Sequence, residues 1–377
     1  MKKVRLVVAL TICMVLILTA CGSTGNSSST DTTAAVADAT EATTTDKAEA
    51  AETGDTESVA GDIDMEPTVW KAATHIESSS SHWAQQQAMF DAIYERTGGK
   101  LEIQLYNNTE FGVEAKDLLG VCEDGTVDIV FDCTSYLEGL GTVMSVIEFP
   151  MMTATNDEMQ VAFDAIPDLI QADYNAMNLE YLDWWSTMGL AYFGVGECPQ
   201  NLDGFKGLKV RNTQATLGDL MAHFGAVPVT MSITECLPAL QRNALDAALT
   251  GCLYAHDMNW ADVTDWMFVF NCGVGSNGMW VNMDSMASLP EAVQQIIREE
   301  AHNYHEASIA FNNENTQLDI DEMQEAGLEV VYCSDEDFER ARDFMKDVWV
   351  EMCKGHDTYQ EALDRILPAL EEYRSNK

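Results

Sequence analysis

Apolar positions along residues 68–188 change repeatedly between the spacing of strands and that of helices. Leu101, Ile103 and Leu105 alternate with polar residues, which predicts a strand. The large apolar residues of 83–94 fall near one helical face instead, and glycines follow where that helix should end. A regular order of strand, helix and strand is typical of mainly parallel sheets with helices on both faces.

The same alternation starts again near Gly189 and leads into an unusually long helical segment. Apolar residues of 217–224 have the i, i+3, i+4, i+7 spacing of a buried helix face, between strands predicted at 208–211 and 226–231. The helical pattern from Pro290 to about Gly327 predicts one long helix or two with a bend. These patterns together predict an α/β protein with two lobes.

The first twenty residues are typical of an export signal. A basic start is followed by an apolar run, Val7–Leu18, which is too short for a comfortable membrane span. The small residues before Cys21 resemble a bacterial lipoprotein cleavage site, so we expect a signal peptide at 1–20 and lipidation (palmitate) of Cys21; in an ordinary secretory signal this cysteine would be accidental. Residues 21–66 are polar and acidic, which predicts a disordered tether between a lipid anchor and a folded domain. We expect this domain on the extracytoplasmic face of the cell membrane, either the outer face of a single-membrane bacterium or the periplasm.

The charge of the chain excludes several classes of partner. Sixty-two acidic residues outnumber twenty basic ones, which gives a formal net charge of −42. Binding to nucleic acid, or to anionic lipid through a basic face, is therefore not expected. Eight of the ten cysteines fall in the folded part, widely spread and without a CxxC pair, so we expect mostly free, buried thiols.

No motif of a known catalytic site occurs in the chain. HExxH, GxSxG and P-loop patterns are absent, and the many acidic residues produce carboxylate pairs by chance. His302 and His305 have the spacing to share a metal, but no third ligand stands at a clear spacing, so we expect both to be solvated. We therefore expect no enzyme activity, no metal and no cofactor.

Candidate ligand-binding residues follow several of the predicted strands. Ligands of open α/β sheets bind at the carboxyl ends of strands, and both lobes contribute residues at such ends. The candidates are His75, Tyr136, Trp185, Arg211, Asn212, Thr250, Tyr254 and Trp280. Each also has a plainer interpretation: core packing for an aromatic residue, exposure in a loop for His75, and pairing with a nearby acid for Arg211. Adjacent Trp184 and Trp185 point to opposite faces of a strand, so at most one can line a cleft.

Four blocks of the sequence resemble the solute-binding proteins of TRAP transporters, the DctP family. In chain order they are ERTGGKLEIQLYNNTEFG (95–112), GTVDIVF with IEFP (125–131 and 147–150), the segment from DGFKGLKVRN to DAALTG (203–251), and MWVNMDSMASLP (279–290). The resemblance implies a two-lobed, type II-like periplasmic-binding-protein fold, with mixed, mainly parallel sheets and a long connecting helix. We expect lobe I to comprise 67–188 plus 277–315, and lobe II to comprise 189–276 plus 316–377.

The resemblance also implies a function. In this family the arginine of the GLKVR block pairs with the carboxylate of an organic acid, and Arg211 stands at that position. A guanidinium offers two parallel donors to a carboxylate, which lysine cannot do. Asn212 would orient Arg211 or touch the ligand, and His75 would donate to it. The ligand would be delivered to a TRAP-type membrane permease.

The sequence departs from the family at three places near the expected site. Residues 187–199 lack a second arginine, DAALTG (246–251) replaces a block with Asn and Glu, and Ile233 stands where an aromatic residue is usual. These changes favour a small or weakly charged monocarboxylate with an apolar or aromatic body. Two alternatives remain: a binding protein of an ABC importer for a sugar or peptide, and a tethered secreted hydrolase.

Overall fold

Strands and helices alternate along the whole folded part of the chain. The computed structural model describes residues 63–187, 189–273 and 275–377, so the leader, Cys21 and most of the expected tether lie outside the described residues. The strands are β1 Thr68–Thr74, β2 Leu101–Asn107, β3 Ile129–Cys133, β4 Leu179–Ser186, β5 Leu190–Gly194, β6 Lys209–Asn212, β7 Val227–Thr230, β8 Ala247–Gly251, β9 Trp266–Val269, β10 Ser276–Asn282 and β11 Glu329–Tyr332. The helices are α1 Ser81–Arg96, α2 Leu118–Glu123, α3 Met144–Ile147, α4 Asn156–Ala165, α5 Pro167–Asn175, α6 Ala215–His223, α7 Ile233–Gln241, α8 Cys252–Asp257, α9 Met283–Ala287, α10 Glu291–Glu325, α11 Asp335–Cys353 and α12 Asp357–Ser375.

The strands form two mixed sheets, one in each lobe. The first sheet has the order β2-β1-β3-β10-β4 and the second the order β11-β9-β5-β8-β6-β7. In the first sheet β10 is antiparallel to both neighbours, and in the second β5 is. The remaining pairs are parallel. The predicted α/β fold with two mixed, mainly parallel sheets is confirmed.

The chain passes between the two sheets at three places: β4 to β5, β9 to β10, and β10 to β11 by way of α9 and α10. The 35-residue helix α10 packs against β4 in the first lobe and against α8 and β11 in the second. The long segment is therefore one unbroken helix. Residues 156–175 form two helices, α4 and α5, because Pro167 lacks the N–H that would continue the first one. The residue bounds of the two lobes stay a prediction.

No disulfide joins the eight cysteines among the described residues. Six of them are buried, and Cys133 and Cys333 are half-buried. Among the described helices, none combines the length and apolar character that crossing a bilayer requires.

Candidate functional site

A cavity of about 70 Å³ lies where the carboxyl ends of strands from both sheets come together. Residues after β1 and β3 and near the crossovers line it from the first lobe, while β6, β8 and the starts of α7 and α8 line it from the second. The lining residues are His75, Ile76, His82, Cys133, Ser135, Tyr136, Thr187, Leu190, Arg211, Thr213, Ile233, Thr250, Gly251, Leu253, Tyr254, Gly275, Asn277 and Asn312. Arg211 is the only lysine or arginine among them, and there is no aspartate or glutamate.

Arg211 reaches the cavity from β6, the strand next to the edge of the second sheet. Its backbone pairs with Val229 of β7 on one side and with Ala248 of β8 on the other. The side chain is 1% exposed. Nε donates to the carbonyl of Met231 at 2.9 Å and Nη1 to the carbonyl of Leu249 at 2.8 Å, which fixes the plane of the guanidinium.

The other end of the guanidinium has no such partner. Nη2 is buried and makes no hydrogen bond of good geometry within the described residues. The described residues also place no carboxylate in ion-pair contact with Arg211, so pairing with a neighbouring acid does not explain it. The Tyr136 hydroxyl lies beside it, and burial raises the pKa of Tyr136, so that this hydroxyl keeps its proton. A buried cation whose free edge faces a cavity is a ready site for an anion.

Two histidines of the first lobe line the cavity. Thr74 ends β1 and accepts from the Ile76 amide at 3.2 Å, which turns the chain at His75. The His75 Nδ1 lies 3.4 Å from the Oδ1 of Asp132, a fully buried residue of β3. Burial raises the pKa of Asp132, and the nearby His75 opposes that shift.

His82, in the first turn of α1, remains neutral at physiological pH. Burial, and next the charge of His75, lower the pKa of His82 to about 3. Its ring centroid lies 4.9 Å from that of Trp185, which packs behind the cavity wall. His82 therefore offers a neutral hydrogen-bonding group rather than a second positive charge.

Five buried polar atoms of the cavity wall lack a hydrogen-bond partner within the described residues. Three belong to the first lobe and its connecting helix, and two to the second. They are His75 Nδ1, His82 Nδ1, Asn312 Oδ1, Arg211 Nη2 and Thr213 Oγ1. Because buried polar groups in folded proteins are nearly always paired, this group of atoms makes the cavity a candidate binding site.

The structure brings five of the eight predicted site residues to the cavity. These are His75, Tyr136, Arg211, Thr250 and Tyr254. Asn212 is adjacent to the site but points into the core, where it accepts from the Tyr192 hydroxyl at 2.5 Å and donates to the Val210 carbonyl.

The two predicted tryptophans do not line the cavity. Trp185 is fully buried, and its ring stacks at 6.3 Å against that of His75, so it supports the wall from behind. Trp280 packs against Tyr174 and Tyr181 in the core, because its position in β10 directs it to the other face of the sheet. Trp184 and Trp185 belong to different cores, as strand alternation predicted.

The two histidines of α10 take no part in the cavity. His302 is exposed and contacts Asp183 at 3.0 Å, as expected of a solvated residue. The same expectation is wrong for His305, which is buried and bonded through Nδ1 to the Trp184 carbonyl at 2.8 Å. Within the part of the chain that the structure describes, no group of three or more potential ligands is placed to hold a metal.

Several lining residues carried no signal in the sequence by themselves. His82 follows the loop that places His75, and Thr187 and Asn277 lie at the crossovers between the sheets. Asn312 belongs to a buried polar series on α10, with His305 and Ser308 at helical spacing. Polar residues at the spacing of a buried helix face are the one sequence pattern that could have indicated Asn312.

A second cavity of about 510 Å³ adjoins the first. The two share His75, Tyr136, Thr213 and Ile233. The loop from Asn108 to Lys116 and the start of α7 complete its wall.

Comparison with known proteins gives the same fold. The model of the bacterial extracellular solute-binding proteins, family 7 (DctP), matches residues 73–356. An uncharacterised Haemophilus influenzae protein is 22% identical over 258 residues, which cover 68% of this chain and 77% of that protein.

Solved structures of solute-binding proteins are similar over nearly their full length. DctP7 of Bordetella pertussis, an extracytoplasmic solute receptor binding pyroglutamic acid, is 16% identical with a TM-score of 0.74, over 81% of this chain and 99% of that one. A TRAP periplasmic solute-binding protein of Chromohalobacter salexigens, with bound D-glucuronate, is 18% identical with a TM-score of 0.73, over 80% and 99%. One of Desulfovibrio salexigens, with bound orotic acid, is 15% identical with a TM-score of 0.73, over 81% and 99%. These relatives are binding proteins, and the family match covers most of the chain, so the chain belongs to family 7 of the bacterial extracellular solute-binding proteins, the DctP family.

Proposed function

We propose that this protein is an extracytoplasmic receptor that captures a small organic acid and delivers it to a TRAP-type membrane permease. Arg211 receives the carboxylate, and the remaining wall of the cavity selects the body of the ligand. No bond of the ligand is made or broken. The solved relatives that hold pyroglutamic acid, D-glucuronate and orotic acid support an acid as the ligand class.

The unpaired end of Arg211 carries this proposal. With Nε and one N–H of Nη1 engaged by backbone carbonyls, the guanidinium keeps the second N–H of Nη1 and both N–H groups of Nη2. These donors form an edge that fits the two oxygens of a carboxylate. Arg211 is almost fully buried, so the ion pair gains strength from the low local dielectric.

Arg211 is the one lysine or arginine of the wall, which favours a monocarboxylate. A second carboxylate on the ligand would be buried without another guanidinium or ammonium group to pair with, which costs several kcal/mol. Ile76, Leu190, Ile233 and Leu253 supply an apolar surface for the ligand body. The wall agrees with the sequence-based expectation of a small, weakly charged acid.

Closure of the two lobes would trap the ligand. Residues of both sheets line the same cavity, so a bound acid links them. We propose hinges near Met188–Gly189 and Ser276–Asn277, where the chain passes between the sheets. In this proposal lobe I comprises 67–188 plus 277–315, and lobe II comprises 189–276 plus 316–377.

The anchor belongs to the proposal as well. Lipidation of Cys21 and a tether of residues 21–66 would keep the receptor at the outer face of the cell membrane, close to its permease. The intact mass of the protein extracted from membranes tests this: a mature chain that begins at Cys21 and carries acyl groups is expected. An unmodified, released chain would refute the anchor.

The test of the ligand-binding function compares the purified protein with its Arg211→Ala and Arg211→Lys variants. Thermal unfolding is measured with a panel of small carboxylates, with neutral sugars as controls. We expect one class of acid to raise Tm by several degrees and Arg211→Ala to weaken its binding at least tenfold. Arg211→Lys should also bind weakly, because lysine cannot present the paired donors.

Three outcomes would contradict the proposal. An unchanged affinity in Arg211→Ala would reject the role of this residue. A response to neutral sugars in place of acids would indicate an importer of the other class. Turnover of a ligand would indicate an enzyme.

A further inference from the structure

Asn312 presents a hydrogen-bond acceptor of fixed orientation to the cavity. It lies on α10, is 1% exposed and belongs to the cavity wall. Its Nδ2 donates to the carbonyl of Ser186, at the end of β4, at 2.6 Å, and to the carbonyl of Ser308 at 2.9 Å. If the amide were turned over, Oδ1 would face two carbonyl oxygens and repel both. The nitrogen and oxygen are therefore assigned by their surroundings.

The acceptor has no partner within the described residues. Asn312 Oδ1 is buried and makes no hydrogen bond there. Arg211 Nη2 is an orphan donor of the same cavity, so the two groups do not satisfy each other across it. A buried acceptor without a donor costs the full desolvation of that oxygen. A ligand that brings a donor to this position removes the cost, whereas one that brings another acceptor or a methyl group leaves it.

We propose that Asn312 selects acids that carry a neutral hydrogen-bond donor, either a hydroxyl or an amide N–H. This inference rests on the proposed function, because it requires Arg211 to hold the carboxylate. Asn312 Oδ1 then accepts a hydrogen bond from the substituent of the acid. Unsubstituted acids and oxo acids of the same size lack the donor. The donor is neutral because the cavity wall has no carboxylate to pair with an ammonium group. Asp132 does not line the cavity and lies behind it, beside His75.

The size of the cavity narrows the class further. A cavity of about 70 Å³ holds only a small group of atoms, since a single buried water already needs about 10–15 Å³ of such space. Hydroxy acids with two to four carbon atoms are therefore the first ligands to test. Larger acids with an amide N–H would extend into the adjoining cavity through the side that His75 and Tyr136 share.

The test uses matched sets of acids that differ only in the substituent. Calorimetric titrations of the purified protein compare glycolate, glyoxylate and acetate; then lactate, pyruvate and propionate; then 2-hydroxybutyrate, 2-oxobutyrate and butyrate. Pyroglutamate and cyclopentanecarboxylate form a pair for the amide N–H. We expect the donor-bearing acid of at least one set to bind at least tenfold more tightly than its counterparts.

The variant Asn312→Leu identifies the residue responsible. Leucine keeps the branched shape of asparagine but has no acceptor, so the ratio of affinities between the donor-bearing acid and its counterparts should fall to about one. Ser308→Ala is the matched control. It removes the hydrogen bond from the Ser186 amide to Ser308 Oγ, at the same contact of α10 with β4, and Ser308 does not line the cavity. The Ser308→Ala variant should keep the preference for the donor-bearing acid. If Asn312→Leu does not unfold cooperatively, Asn312→Ala takes its place.

The results that would contradict the role of Asn312 differ from those that would contradict the binding function. Equal affinity for the members of every set that binds would overturn the inference and leave the proposed function standing, because the carboxylate would still bind. A preference that persists without Asn312 would assign the selection to another residue. Failure of every acid to bind would overturn the proposed function, and this inference with it.

Discussion

The carboxyl group of Glu148 is buried close to both lobes of the molecule. It is 1% exposed and accepts hydrogen bonds from the amide and hydroxyl of Ser276 and from the Ser135 hydroxyl. Its own carbonyl accepts from Gln214, which precedes α6 of the second sheet. Burial raises the pKa of Glu148 to about 7, although the donors around it oppose the shift.

This shift predicts a loss of stability as the pH rises. Between the unfolded pKa of 4.5 and about 7, the folded state binds more protons than the unfolded state. The free energy of unfolding should therefore fall across this window, by up to about 3 kcal/mol. Glu148→Gln should flatten the profile, as measured by urea unfolding between pH 4.5 and 8.

Glu158 provides a control of opposite sign. Burial alone would raise its pKa, but the Arg374 guanidinium at 2.8 Å holds it below the ordinary value. Its contribution to stability is present above the unfolded pKa and is lost as the pH falls. Glu158→Gln should therefore lose stability at neutral pH. If the free energy of unfolding of the wild type and of Glu148→Gln changed with pH in parallel, Glu148 would not be the cause of the pH dependence.

Arg211 could be predicted from the sequence, but Asn312 could not. The arginine stands at the end of a short apolar strand inside a block typical of the family, and both features are local. The role of Asn312 depends on the carbonyl of Ser186, 126 residues away, which fixes its amide. A local pattern contains no such information. The same reason explains why Asn212, adjacent to Arg211, points away from the cavity toward Tyr192.

At the scale of elements, α8 contacts the start of α1 across the two lobes. Asp257, the last residue of α8, accepts from the Ser81 amide at 2.7 Å, from the Ser81 hydroxyl at 3.2 Å and from the Ser80 hydroxyl at 3.3 Å. A carboxylate is favourable at the N-terminus of a helix, where backbone N–H groups are unpaired. These bonds require the two lobes to be together, so they would stabilise the closed arrangement that we propose.

Asp257→Asn should therefore weaken ligand binding without touching the cavity. We expect the affinity to fall about threefold to tenfold, mainly through faster dissociation of the ligand, because asparagine keeps one acceptor but loses the charge. Stopped-flow kinetics measure this. Asp262→Asn is the control, since it removes the same charge from an exposed position on the same lobe. Equal dissociation rates for the two variants would argue against the contact.

The elements themselves followed from apolar spacing, while their arrangement did not. Periodicity located α6 and α10 because each buries one regular face. It could not show that β10 pairs antiparallel with β3 and β4, with a shift of register between Met279 and Trp280. Pairing of distant strands decides which face of a sheet a residue occupies. Trp280 was therefore placed at the site by sequence reasoning but lies in the core.

At the scale of the whole molecule, the charge opposes the ligand. A formal charge of −42 repels an approaching anion, and the one lysine or arginine of the cavity wall is buried. The Debye length falls from about 30 Å at 0.01 M salt to about 8 Å at 0.15 M. Salt therefore screens the long-range repulsion strongly, while it affects the short contact between Arg211 and a bound carboxylate much less.

The association rate of the acid should consequently rise with salt, by roughly threefold or more between these two ionic strengths. This is the reverse of electrostatic steering, in which salt slows association. Trp185, stacked against His75 behind the cavity, is a suitable fluorescent reporter for stopped-flow measurements. Sodium chloride and sodium sulfate at equal ionic strength separate screening from competition of the anion for Arg211. An association rate that falls with both salts would mean that the mouth of the cavity attracts anions despite the charge of the whole chain. The site would then have to be understood from its local field, with Lys116 in the adjoining cavity as the first residue to replace.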